Sequence, residues 1–176
     1  MVPFRIRRVG ARGFSLAELI IVVAVIGVLS AIGLPYFLSH FRTATLKGGA
    51  QELVVLLNQG RQVAIKENEA VCIKADAANP NYGTKVRYLR GSCAATNTCA
   101  ATGNVSPCIW TGPGTDSTGY VTLSNRIEIQ PPATDVTFTY LGAASGGSFT
   151  VRMMDNTSAT STVTIAASGR VSYTFP

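Results

Sequence analysis

Charge is scarce in this sequence: Asp, Glu, Lys and Arg make up only 14% of its 176 residues, against about 25% in an ordinary soluble domain. There is a single histidine, His40, and a single tryptophan, Trp110. His40 has no acid or nucleophile near it in the sequence, and neither Ser106 nor Asp116-Ser117 makes a catalytic triad with it. No Gly-x₄-Gly-Lys-Ser/Thr occurs, so no phosphate-cradling loop is indicated. The four cysteines, Cys72, Cys93, Cys99 and Cys108, include no Cys-x-x-Cys, and the histidine lies far upstream, which argues against zinc. Asp155-Asn156 reads as a turn rather than a calcium loop. Neither a metal nor a cofactor is expected, and no internal repeat of fixed period is found.

Basic residues outnumber acidic ones, 15 to 9, for a formal charge of +6. Such an excess can signal a nucleic-acid partner. Here Arg5, Arg7, Arg8 and Arg12 all fall within the first 13 residues, and without them the formal charge is +2. The basic character belongs to the N-terminus, not to a polyanion-binding face.

What the chain does have is one long apolar run. Phe14 to Leu34 reads FSLAELIIVVAVIGVLSAIGL, 21 residues with one charge, Glu18. As a helix it spans roughly 31 Å, about the thickness of bilayer hydrocarbon. Arginines ahead of it and no acid among them hold that end in the cytoplasm. The remainder then lies outside in an oxidising compartment, where an even cysteine count favours disulfides, with three connectivities open.

Three readings compete for the run: a secretory signal cut near Ala31-Ile32-Gly33, a plain anchor, or a signal cut ahead of the apolar stretch. Glu18 discriminates between them. A carboxylate inside an apolar helix costs about 2.5–3.5 kcal/mol on insertion scales, and neither a secretory signal nor an anchor has use for it. A cut after Gly13 creates an α-amine at Phe14. A neighbouring copy could bring that amine to this carboxylate and neutralise both.

Arg12-Gly13-Phe14-Ser15-Leu16-Ala17-Glu18-Leu19 resembles the prepilin peptidase motif of type IV pilins and pseudopilins. The resemblance implies cleavage between Gly13 and Phe14, N-methylation of Phe14, and an assembly role for Glu18. Pro35 stands where these pilins often carry a helix-kinking proline. The partners implied are a prepilin peptidase/methyltransferase, other pilins or pseudopilins, an inner-membrane assembly platform, and membrane lipid before assembly.

Beyond Pro35, Leu46, Ala50, Leu53, Val54, Leu57 and Ala64 recur at three- and four-residue steps, one face of an amphipathic helix. Gly48-Gly49 predicts a local weakening, a bend or partial melting. Glu67-Asn68-Glu69 ends the pattern. Short alternating runs follow at 71–74, 85–89, 120–123, 126–130, 136–140, 149–153, 162–166 and 171–175, separated by Gly, Pro, Asn and Ser clusters. The fold expected is α+β: a long N-terminal helix on an antiparallel β-sheet or small β-sandwich. Its parts are a leader (1–13), a transmembrane and filament-core helix (14–35), an amphipathic helix half (36–67) and a β domain (68–176).

Ala50–Ile65, Ala70-Val71-Cys72-Ile73, Trp110 ahead of Gly119-Tyr120-Val121, and Ser168-Gly169-Arg170-Val171 are similar to the H-type pseudopilin and FimT minor pilin group. That resemblance implies a non-catalytic subunit of a type II secretion pseudopilus or a type IV pilus. It implies a location in the inner membrane, N-terminus cytoplasmic and C-terminal domain periplasmic, and then in the filament. It also implies the pairs Cys72–Cys93 and Cys99–Cys108. Some FimT-like pilins bind DNA through basic residues near the C-terminus, which makes a DNA-binding minor pilin the alternative and Arg170 its candidate contact. Lys85, Arg87, Arg90 and Arg126 would join it only if folding gathers them. Trp110 is expected in the core or at its rim, and His40 on an exposed helix face. Asn104-Val105-Ser106 and Asn156-Thr157-Ser158 match a glycosylation pattern that carries little weight in a bacterial-type pilin.

Overall fold

The computed structural model describes residues 14–76, 82–91, 108–124, 126–132 and 134–175. The chain divides into two compact units, Met1–Phe41 and Arg42–Pro176. Among the described residues one helix, α1 (Leu16–Glu67), is followed by eight strands: β1 (Val71–Ala75), β2 (Lys85–Arg90), β3 (Tyr120–Thr122), β4 (Ile127–Gln130), β5 (Val136–Phe138), β6 (Gly147–Met153), β7 (Thr160–Ile165) and β8 (Val171–Thr174). The α+β expectation is met, and each of the eight alternating runs becomes a strand with ends shifted by at most two residues.

Within the first unit, α1 is apolar on every side and every described side chain is exposed. Leu16–Leu34 is the one described helical stretch long and apolar enough to cross a membrane. A helix with no polar face has nothing to present to water and must be covered by lipid or protein.

The second unit shows why the amphipathic stripe exists. Leu46, Ala50, Leu53, Leu57 and Ala64 are buried against two antiparallel sheets, ordered β3-β2-β1-β5 and β4-β6-β7-β8. Both sheets turn one face inward, as the period of two requires: Val71, Ile73, Val86, Tyr88, Val136 and Phe138 from the first, Ile127, Ile129, Phe149, Val151, Val163 and Ile165 from the second. The sheets are stitched together by backbone. Gly83 and Ile129 exchange both hydrogen bonds at 2.8 Å, and Ala144 N–H donates to Ala167 O at 3.0 Å.

The expected partial melting at Gly48-Gly49 does not occur: α1 is helical without a break from Leu16 to Glu67. Gly49 is a packing residue instead. A Cβ there would stand 2.6 Å from both Ile127 Cδ1 and Cγ2 of β4. Three turns on, on the same helix face, a Cβ at Gly60 would stand 2.7 Å from Ile73 Cδ1 and 3.0 Å from Tyr88 Cε1. Tyr88 lies over Gly60 and its hydroxyl donates to Leu56 O at 2.9 Å. Burial in this apolar setting pushes the phenol pKa well above its ordinary value. The helix ends where Asn68 takes the left-handed conformation (φ 53°). Glu69 N–H then reaches Ala64 O and Asn68 N–H reaches Ile65 O, the paired bonds of a Schellman stop.

Three elements meet at the Gly142 carbonyl. Arg61 of α1 donates its Nε–H to that oxygen at 2.8 Å. A Cβ on Gly169, in the β7–β8 turn, would fall 1.8 Å from the same oxygen. Gly169 has φ +79°, so both its conformation and its neighbour demand glycine.

Two stability effects follow. Gly49→Ala gains about 1 kcal/mol of helix propensity but overpacks Ile127, which costs roughly 1–3 kcal/mol; the net change in thermal melting is a lowered midpoint. Gly169→Ala meets backbone that cannot move aside, so the folded fraction measured by circular dichroism drops far more than for Gly49→Ala.

Candidate functional site

The N-terminal end of α1 carries the chain's one acid within the apolar run, and its geometry is specific. Phe14 and Ser15 stand outside the helix, which begins at Leu16. Glu18 N–H donates to Ser15 Oγ at 3.2 Å, and Ser15 N–H donates to Glu18 Oε2 at 3.1 Å. This reciprocal pair is a capping box. It gives partners to two of the N–H groups that a helix start otherwise leaves bare, and places a negative charge at the positive end of the helix dipole. Sequence reasoning assigned Glu18 only to a neighbouring copy. The Ser-x-x-Glu spacing ahead of an apolar run was the signal that Glu18 also serves its own helix. Gly13 lies outside the described residues.

Pro35 is inside α1, and the helix runs through it. His40 is exposed on α1 as expected. Trp110 is buried, edge-on to Tyr88 with centroids 5.6 Å apart, and its ring fills the space a Cβ on Gly112 would need. It is a core residue, not an open stacking surface.

Cys72 and Cys108 are each disulfide-bonded; Cys93 and Cys99 lie outside the described residues. The sheet register excludes one connectivity. Cys72 on β1 is paired with Leu89 on β2. Leu89 pairs on its other side with Ile109, where Arg90 N–H reaches Cys108 O. A whole strand therefore stands between Cys72 and Cys108. Two inter-strand steps separate their Cα atoms by about 10 Å, while a disulfide needs less than about 7 Å.

The basic residues do not gather around Arg170. Arg90 pairs with Glu67 at 3.6 Å and Arg126 with Asp155 at 3.0 Å. Arg87 lies over the Tyr120 ring at 5.0 Å, with Lys74 opposite it in register and Lys85 two residues away. Arg170 sits exposed in the β7–β8 turn of the other sheet. A polyanion backbone needs several contacts along one track, and Arg170 has no described cation beside it in the ion pairs and ring contacts that hold the others.

The remaining chemistry-bearing groups are structural. Asp116 is exposed and accepts from Thr118 Oγ1 at 2.6 Å, Thr118 N–H at 2.8 Å and Tyr120 N–H at 2.9 Å. The Thr118 hydroxyl and then the Tyr120 N–H hold its carboxyl below the usual range. A depressed folded value means that the stabilisation is present above the unfolded value, about 3.9, and is lost as pH falls through the folded one. Asn156 Oδ1 accepts from Ser158 N–H and Oγ, an Asx turn. Asn104 and Ser106 lie outside the described residues. Among the described residues no three of His, Cys, Asp or Glu come together in a way that could hold a metal ion.

Comparison with known proteins agrees with this picture. Residues 49–169 match the model of Type II transport protein GspH, and residues 8–34 match the prokaryotic N-terminal methylation motif. Similar solved structures include the type IV minor pilin FimU of Pseudomonas aeruginosa, 17% identical over 73% of this chain and 92% of that one, with a TM-score of 0.48. Another is the minor pseudopilin EpsH from the type 2 secretion system of Vibrio cholerae, 13% identical over 74% of this chain and 97% of that one, with a TM-score of 0.49. No curated protein matches the chain.

Peptide mapping without reductant will recover no Cys72–Cys108 cross-link. Both cysteines will instead be found joined to peptides carrying Cys93 or Cys99, and a direct Cys72–Cys108 peptide would refute the register argument.

Proposed function

The chain belongs to the Type II transport protein GspH family and carries a prokaryotic N-terminal methylation motif, and from that premise we propose how it is processed, placed and assembled. It is a structural subunit, a minor pilin or pseudopilin anchored by an apolar N-terminal helix, in a family whose members assemble with other pilins. Our reading is that residues 1–13 form a leader removed by a prepilin peptidase between Gly13 and Phe14, and that the same enzyme methylates the new amine of Phe14. Residues 14–35 then span the inner membrane, Pro35 kinking the helix at its outer end, and later form the filament core. The amphipathic half, 36–67, carries the β domain, 68–176, on the periplasmic side. An assembly platform lifts the subunit from lipid into the filament. The chain performs no catalysis.

The observation that carries this reading is the exposure of the whole apolar surface of Leu16–Leu34 around a single acid, Glu18. In hydrocarbon that carboxylate needs a cation, and the α-amine of a neighbouring Phe14 is the cation that cleavage supplies. Lipid covers the helix first, and neighbouring helices replace it. Two disulfides, Cys72–Cys93 and Cys99–Cys108, are the pairing we assign among those the register leaves open.

Mass spectrometry of the mature chain tests the processing: its N-terminus will be N-methyl-phenylalanine at Phe14. An N-terminus near Gly33, or an uncut leader, would overturn the reading. Glu18→Val will be cut and inserted normally, yet its level in filaments sheared from cells will be strongly reduced.

A further inference from the structure

We propose that the open edge of β8 is an assembly surface: it takes an extended segment of a neighbouring filament subunit as a further strand of the β4-β6-β7-β8 sheet. The choice of partner rests on the filament reading given above; the open edge does not.

The two described sheets present four edges, and the chain closes three of them itself. On β3, Asp116 N–H donates to Tyr120 O at 2.8 Å, and Tyr120 N–H donates to Asp116 Oδ1 at 2.9 Å. On β4, Gly83 and Ile129 exchange their two bonds. On β5, Ser145 N–H donates to Thr137 O at 2.9 Å, and Thr137 N–H donates to Ser145 Oγ at 3.1 Å. The remaining edge is β8. Its register sets Ser172 opposite Thr164 and Thr174 opposite Thr162, and Ala166 N–H donates to Arg170 O. Antiparallel bonding alternates along a strand. Residues 170, 172 and 174 therefore bond to the β7 side, while Val171 and Tyr173 turn their N–H and C=O outward. No described hydrogen bond reaches those main-chain groups. Sheets commonly protect an edge with a charge, a proline, a bulge or a covering loop. Val171-Ser172-Tyr173-Thr174 has no charge and no proline, and its register is unbroken.

The core is also incomplete along this edge. Val171, Tyr173 and Phe175 pack against it but stay only partly buried. The Tyr173 and Phe175 rings meet edge to face, centroids 5.2 Å apart. The strand flanks α1, where Gln51 Nε2 donates to the Tyr173 hydroxyl at 3.2 Å. Val55, one turn beyond Gln51 on the same helix face, is exposed. A strand with apolar residues at every second position answers both needs. Its main chain would bond to Val171 and Tyr173, and its apolar face would cover the half-buried side chains. A nucleic acid or a lipid has no amide ladder to offer. In a filament built by packing α1 helices side by side, the adjacent subunit is the chain that arrives at this flank.

Hydrogen exchange of the native full-length chain, resolved to single amides and compared between detergent solution and sheared filaments, tests this without any variant. The Ser172 and Thr174 amides will exchange slowly in both states. Those of Val171 and Tyr173 will exchange fast in detergent and roughly tenfold or more slower in filaments. A pair of variants gives a second readout. Val171→Pro removes an outward donor and no bond to β7, a place where edge strands accept proline; Val171→Ala keeps the donor. Both will be processed normally and will melt together in detergent, yet Val171→Pro will reach filaments roughly fivefold less than Val171→Ala. Fast Val171 and Tyr173 amides in a chain that has entered filaments, or equal assembly of the two variants, overturns the edge while leaving the filament reading intact. Protection of both amides in a detergent-soluble dimer of the chain alone overturns the choice of partner. Absence of the native chain from filaments overturns the filament reading itself, and the partner with it.

Discussion

Closeness between helix and sheet is the constraint around which the C-terminal unit is organised. At Gly49 and Gly60 the backbone of α1 comes so near to Ile127, Ile73 and Tyr88 that no side chain fits between them. Interiors pack at the density of organic crystals, so two bare patches on one helix face fix where each sheet can sit. The first patch seats the β4-β6-β7-β8 sheet through Ile127. The second seats the β3-β2-β1-β5 sheet through Ile73 and Tyr88. Leu46, Leu53 and Leu57 fill the space that remains, and the Tyr88 ring, close against Gly60, sends its hydroxyl to Leu56 O.

The N-terminal part of α1 obeys the opposite rule. Its described side chains are all exposed, and a capping box closes its first turn. One helix thus carries two kinds of surface. Leu16–Leu34 is apolar on nearly every side, and the helix from Arg42 on is apolar on one face only. The first pattern suits a medium without water and the second suits a junction between protein and water. Glu18 is the one charge in that apolar run, and the capping box gives its carboxylate a partner on its own helix.

Much of this was legible in the residues. The strands β4, β5, β6 and β7 follow most directly from period-two alternation, because each has one face in the core and one turned outward; β1 is buried at nearly every position and β3 at none. The amphipathic stripe predicts the packed helix face, and Asn68 ends the helix where the pattern breaks. The failures share a cause. Gly48-Gly49 suggested a weak point because propensity is a local quantity, whereas Gly49 is required by Ile127, about 78 residues away in sequence. Gly169 was noticed only as part of a motif; its reason is the Gly142 carbonyl, which no local pattern reveals. The grouping of eight strands into two sheets depends on pairings such as β1 with β5, for which a single sequence offers no signal. Ser15 is different, since the Ser-x-x-Glu spacing ahead of an apolar run is a local signal in plain view.

The meeting of Arg61, Gly142 and Gly169 has a mechanical consequence. Tension applied along the C-terminal part of α1 reaches the β-sheets through its side-chain and backbone contacts. The Arg61 bond ties the last turns of that helix to a turn following one sheet and, through Gly169, to a turn of the other. Together with the close contacts at Gly49 and Gly60, it shares the load among several attachments spaced along the helix. Traction on such a handle shears them in parallel, so the domain follows its stalk as one body instead of peeling away strand by strand.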